Sequence, residues 1–120
     1  ELRFGPLDLV GLRDVVRRLC DREQIGRDAV EDLVLAVHEL AANSILHGGG
    51  DGVFRAWQTA ESLVLEISDA GVIEDPLVGR ELDGALSEHG RGVWIANQLC
   101  DLVQVRSSAS GTVVRLHSWR

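Results

Sequence analysis

The stretch VEDLVLAVHELAANSILHGGGDG, residues 30–52, decides how the chain is read. Val30, Leu33, Val34, Val37, Leu40, Ala41, Ser44 and Ile45 recur at steps of three and four, which predicts one long helix over Val30–His47 with an apolar stripe facing a core. Glu39 and Asn43 are also four apart, so a carboxylate and a carboxamide stand one turn from each other on a different face, with His47 a turn further on. Such a pair also occurs on helices that merely face solvent. Asn, however, competes for backbone hydrogen bonds and is a poor mid-helix residue, so its presence asks for a reason. The run Gly48-Gly49-Gly50-Asp51-Gly52 then stops the helix. His38-Glu39 begins like a zinc-protease helix, but that motif needs a second His where Ala42 stands.

Working outward, 120 residues fit one domain able to bury a core without metal or disulfide staples. Apolar residues make up 45% of the chain, and no run reaches membrane-spanning length. The 19 acidic residues outnumber the 12 basic ones, giving a net charge of -7. That balance argues against general nucleic-acid binding, which needs a basic face to displace counterions. All the basic residues are Arg, so a phosphate loop built around a Lys is excluded. Cys20 and Cys100 fall on apolar helical stripes and are expected to be buried thiols in a reducing compartment. No signal-peptide pattern precedes the first helix, so a cytoplasmic setting is expected. A chain that starts at Glu1 and contains no Met reads as a single domain, 1–120, excised from a longer protein.

Toward the N-terminus, Leu2–Phe4 suits a short edge strand and Pro6 a first helical turn. Leu9, Leu12, Val15, Val16, Leu19 and Cys20 predict an amphipathic first helix, broken at 24–27, with Asp28 as cap of the long one. Downstream, Val53–Thr59 and Leu63–Ser68 read as a hairpin, the second strand burying Leu63, Leu65 and Ile67 and wetting its other face. Val72–His89 has no sustained period, the mark of a lid or binding loop. A short helix, Val93–Leu99, and a closing hairpin of Val103–Ser107 and Thr112–Ser118 complete the chain.

Three small pieces carry chemistry. Asp69-Ala70-Gly71 at a strand end is a common turn, but it also sets a carboxylate toward an amine-bearing ligand beside the space Gly71 leaves. Gly90-Arg91-Gly92 opens a helix, where free amides and the helix dipole suit a phosphate. Thr112 follows Gly111 at the start of the last strand and reads equally as an ordinary strand residue.

Together, "VHELAANSILHG", "ISDAG", "HGRGVWIANQLCDLVQVRS" and "SGTVVRL" resemble the GHKL superfamily of ATP-binding domains, which includes sensor histidine kinases, gyrase, the Hsp90 chaperones and MutL. Within it they look most like the anti-sigma-factor serine kinases of actinobacterial type. The resemblance implies an α+β, two-layer sandwich with a mainly antiparallel mixed sheet, helices on one face, and ATP with Mg²⁺ held between helices and lid. It makes Asn43 the Mg²⁺ ligand, Glu39 the general base, and Asp69 the partner of the adenine amino group. Gly71 and Thr112 would support the same edge of the ring. His47 would line the nucleotide site, with Gly90, Arg91 and Gly92 at the phosphates. One Asn oxygen completed by phosphate oxygens and water is a sufficient Mg²⁺ set. The implied partners are a sigma factor and its antagonist protein, with homodimerisation left open. One departure is Ile73, where the family commonly has a second glycine, followed by Glu74 and Asp75; it implies a stiffer lid and weaker phosphotransfer. Two other readings stay open: a partner-sequestering module without kinase activity, and the catalytic half of a sensor histidine kinase.

Overall fold

The computed structural model describes residues 1–71, 95, 96 and 98–119. In order these form β1 (Leu2–Phe4), a 3-10 turn (Pro6–Asp8), α1 (Leu9–Arg22), α2 (Arg27–His47), β2 (Gly52–Gln58), β3 (Ser62–Asp69), β4 (Leu102–Ser108) and β5 (Gly111–Trp119). The sheet has five strands in the order β1-β2-β3-β5-β4. Every pairing among the described strands is antiparallel, as the mainly antiparallel sheet of a two-layer α+β sandwich requires. Ile95, Ala96, Gln98 and Leu99 are helical, within the short helix expected there.

α1 is amphipathic in the simplest way: Leu12, Val16 and Cys20, four apart, are buried, and the charged residues are on the other side. Burying a Leu or Val side chain contributes about 1.5–3 kcal/mol, so this one stripe is enough to dock the helix. α2 lies between α1 and the sheet and buries more of its circumference, namely Leu33, Val34, Ala36, Val37, Leu40, Ala41 and Ser44. Between the helices the backbone closes a Schellman turn: Gln24 N–H donates to Asp21 O at 3.1 Å and Ile25 N–H to Cys20 O at 2.9 Å. Gln24 takes the left-handed conformation this turn requires, with φ of 59°.

Two local expectations are corrected. The N-cap of α2 is Gly26, and Asp28 lies inside the first turn, where its carboxylate faces the positive end of the helix dipole instead of capping an amide. β3 is also buried on both faces: Val64 is 1% exposed and Glu66 4% exposed. Alternation alone predicted a wet outer face, but long side chains on β2 and β5 fold over these two residues. Arg115 Nε donates to Glu66 Oε2 at 2.8 Å, and Arg55 Nη1 lies 3.7 Å from Glu66 Oε1. Arg115 also stacks over the Trp57 ring at 5.3 Å from its centroid. Both cysteines are free thiols; Cys20 is buried as expected, and Cys100 is half-buried. Burial pushes the Cys20 thiol up to about 11 and the Cys100 thiol up to about 12. No helix among the described residues is long and apolar enough to cross a membrane.

Candidate functional site

The C-terminal end of α2, the end of β3 and the start of β5 meet at one carboxylate. Asp69 follows Leu63, Leu65 and Ile67 on the core-facing side of β3, so strand alternation aims it at α2. Its Oδ2 accepts a hydrogen bond of 2.6 Å from Ser44 Oγ, and its Oδ1 accepts one of 2.7 Å from Gly71 N–H. A carboxylate has about four acceptor positions, so room remains for a donor from a ligand.

The surrounding backbone is drawn in tightly. Ala70 N–H donates to Gly48 O at 3.2 Å, tying the residues after β3 to the end of the helix. A Cβ on Gly48 would collide with the Asp69 carboxyl group, and one on Gly71 would fall 2.7 Å from His47 O and 2.9 Å from Gly48 Cα. Thr112 lies opposite Asp69 in the β3–β5 register, and its hydroxyl donates to Gly71 O at 2.7 Å. Thr112 Oγ1 also lies 3.0 Å from Ser107 Oγ. The sequence-selected residues Asp69, Gly71 and Thr112 therefore form one hydrogen-bonded cluster, with the His47 backbone at its edge.

Glu39 and Asn43 are half-buried on α2. Asn43 immediately precedes Ser44, so its side chain leaves the helix about 100° round from the hydroxyl that holds Asp69. Glu39 is one turn earlier on the same flank, and Leu35 and Leu46 on that side are exposed. Among the described residues no three His, Cys, Asp or Glu side chains gather as a metal cage. Gly90, Arg91, Gly92 and the departure at Ile73 lie outside the described residues.

Ser44 is the residue that sequence reasoning missed. It fell on the apolar stripe and was counted as core, and it is indeed 1% exposed. The available signal was chemical: a hydroxyl at a buried helix position needs a partner, and the backbone bond to Leu40 O, at 3.3 Å, is long.

The arrangement can hold a ligand that presents an amine edge to Asp69 beside polar backbone. A model of the histidine kinase-like ATPase domain matches residues 5–118, nearly the whole chain. The chain belongs to the histidine kinase-like ATPase domain family. Among curated proteins none matches this sequence. Among solved structures 23 chains match. One belongs to the SiaB–SiaC complex from Pseudomonas aeruginosa, with a TM-score of 0.69 and 13% identity over 97% of this chain and 88% of that one. At that identity the likeness speaks for the fold. As a histidine kinase-like ATPase domain, the chain carries the Asp69 cluster where β3 leaves the sheet beneath the last turn of α2.

Proposed function

We propose that this domain is an anti-sigma regulatory factor that binds ATP with Mg²⁺ and phosphorylates a Ser or Thr of an antagonist protein. The observation that carries the reading is the Asp69 carboxylate, backed by the buried Ser44 hydroxyl and open to a further donor, in a chain of this ATPase family. Asp69 accepts from the adenine amino group, with Gly71 and Thr112 fixing the backbone beside the ring. Both ligands fit the donor chemistry present: an acceptor-only carboxylate for the amine, and an Asn amide oxygen for a hard cation that keeps most of its other ligands as water and phosphate. When bound, Mg²⁺ neutralises charge on the phosphates. Glu39, one turn from Asn43, takes the proton of the incoming hydroxyl, a contribution of about 10² to 10⁴ in rate. Gly90, Arg91 and Gly92 receive the phosphates. The SiaB–SiaC complex supports a partner-binding role for this fold. Here the partners proposed are a sigma factor and its antagonist, met in the cytoplasm.

Calorimetric titration with ATP and Mg²⁺ tests the pocket: the wild type binds, and Asp69→Asn, which turns an acceptor into a donor at the adenine edge, loses affinity. Transfer of labelled phosphate to candidate antagonists tests the kinase step. Glu39→Ala should abolish transfer while sparing ATP binding. Wild type and Glu39→Ala that are equally inactive, yet both bind the antagonist, would replace the kinase reading with a sequestering module.

A further inference from the structure

The face of the sheet turned away from the helices is the part of the molecule that the nucleotide site does not use. Val64 is buried but does not belong to the helix-side core cluster, which confirms that β3 has two buried faces. Across the outer face the register aligns Val53, Ser68, Val113 and Arg106 in one row and Arg55, Glu66, Arg115 and Gln104 in the next. With Arg3 of β1, which lies opposite Val53, this face gathers four arginines of a chain whose net charge is -7.

Three of the four are paired. Glu66 is sealed between Arg115 and Arg55, and Glu1 and Asp51 hold Arg55 and Arg3 at the β1–β2 margin. Arg106, exposed on the edge strand β4, has no hydrogen bond or ion pair among the described residues. It stands where two depressions of about 430 Å³ and about 390 Å³ adjoin, and both are lined by Arg106 and Val113. The first also takes in Arg3, Asp51, Asp69 and Thr112, so the second, with Arg55, Arg115 and the already paired Glu66 on its walls, is the more cationic of the two. Further along the same face Trp57, Leu102 and Trp119 are 38%, 39% and 50% exposed. Aromatic and Arg side chains sharing one exposed face are the composition of a protein-binding surface. A second copy of the same face would set arginines against arginines. A segment bearing carboxylates would meet a cation without a partner, in bidentate geometry suited to it.

We infer that the outer face of the sheet binds an extended acidic segment of a partner protein, with Arg106 as its anchor. The inference does not depend on the nucleotide reading. The probe is a fluorescein-labelled peptide of three Glu-Leu-Asp-Ser repeats, followed by anisotropy at low salt. The wild type binds, added salt weakens binding, and R106E lowers affinity about tenfold or more. Arg22→Glu, the same charge change on the exposed side of α1, leaves affinity within about twofold. Circular dichroism melts verify folding, and Arg106→Gln replaces R106E if the reversal destabilises the edge strand. Absence of peptide binding by the wild type overturns the inference. So does equal binding by the Arg106 variant, equal loss in Arg22→Glu, or tighter Arg106-dependent binding of a DNA duplex than of the peptide.

Discussion

Ser44→Ala is the sharpest test of how the site is held. The hydroxyl is 1% exposed and donates to Asp69 Oδ2 at 2.6 Å, a short bond to a charged acceptor. Bonds of that kind contribute about 1.5–3 kcal/mol, and their loss leaves a carboxylate oxygen facing a methyl group. Against this, Ala is the better helix former by about 0.5 kcal/mol. The longer bond to Leu40 O, which competes with the helix ladder, adds little. The expected net cost is therefore about 1–2.5 kcal/mol. In a domain of this size that lowers Tm by about 5–10 °C, measured by calorimetry or circular dichroism. A double-mutant cycle with Asp69→Asn should show coupling of about 1–2 kcal/mol, because the two side chains share one bond. ATP affinity should fall as well, since the carboxylate loses the contact that fixes its rotamer. A Tm within about 2 °C of wild type, together with unchanged ATP affinity, would refute the assignment of Ser44 as the support of Asp69.

Gly48→Ala tests the close approach of the helix end to β3: the backbone there, with φ of -106°, suits any residue, so the collision with Asp69 alone should cost about 2 kcal/mol or more, read by urea unfolding. Gln24→Gly should stabilise the fold by about 0.5–1 kcal/mol, because Gly takes the left-handed φ of 59° without strain; a lower urea midpoint would contradict it. With thiols raised to about 11 and about 12, chiefly by burial, Cys20 and Cys100 should react slowly with a thiol reagent at pH 8 and fast in guanidinium. His117 is held below its usual 6.5, first by burial and then by the Arg115 charge, so Arg115→Gln should raise its NMR titration midpoint. Because the folded pKa is depressed, the unfolded chain takes up this proton first; the His117 contribution to stability is present above about 6.5 and declines as pH falls below it.

The helices and strands were legible because their periods are local properties. Leu12, Val16 and Cys20 at four-residue steps, and Leu63, Leu65 and Ile67 at two-residue steps, can each bury a face only as helix and strand. The cap of α2 differs from the sequence expectation because Asp28 has the right chemistry two residues too deep, and a glycine with extended backbone takes the position instead. The outer face of β3 was misread because alternation describes one strand, whereas Val64 and Glu66 are covered by Trp57, Arg55 and Arg115 from neighbours that only the sheet order brings alongside.

The candidate site divides along the same line. Sequence alone determined the residue types and their order, a Glu and an Asn on a helix, an Asp-x-Gly after a strand and a Thr opening another, because spacing along the chain sets which side chains share a local face. Only the tertiary structure decided that Ser44, counted as core, reaches across to Asp69, and that Thr112 closes on Gly71 from 41 residues further along. Such bonds join elements whose separation in sequence carries no trace of their distance in space; that distance is fixed by how the helices pack on the sheet.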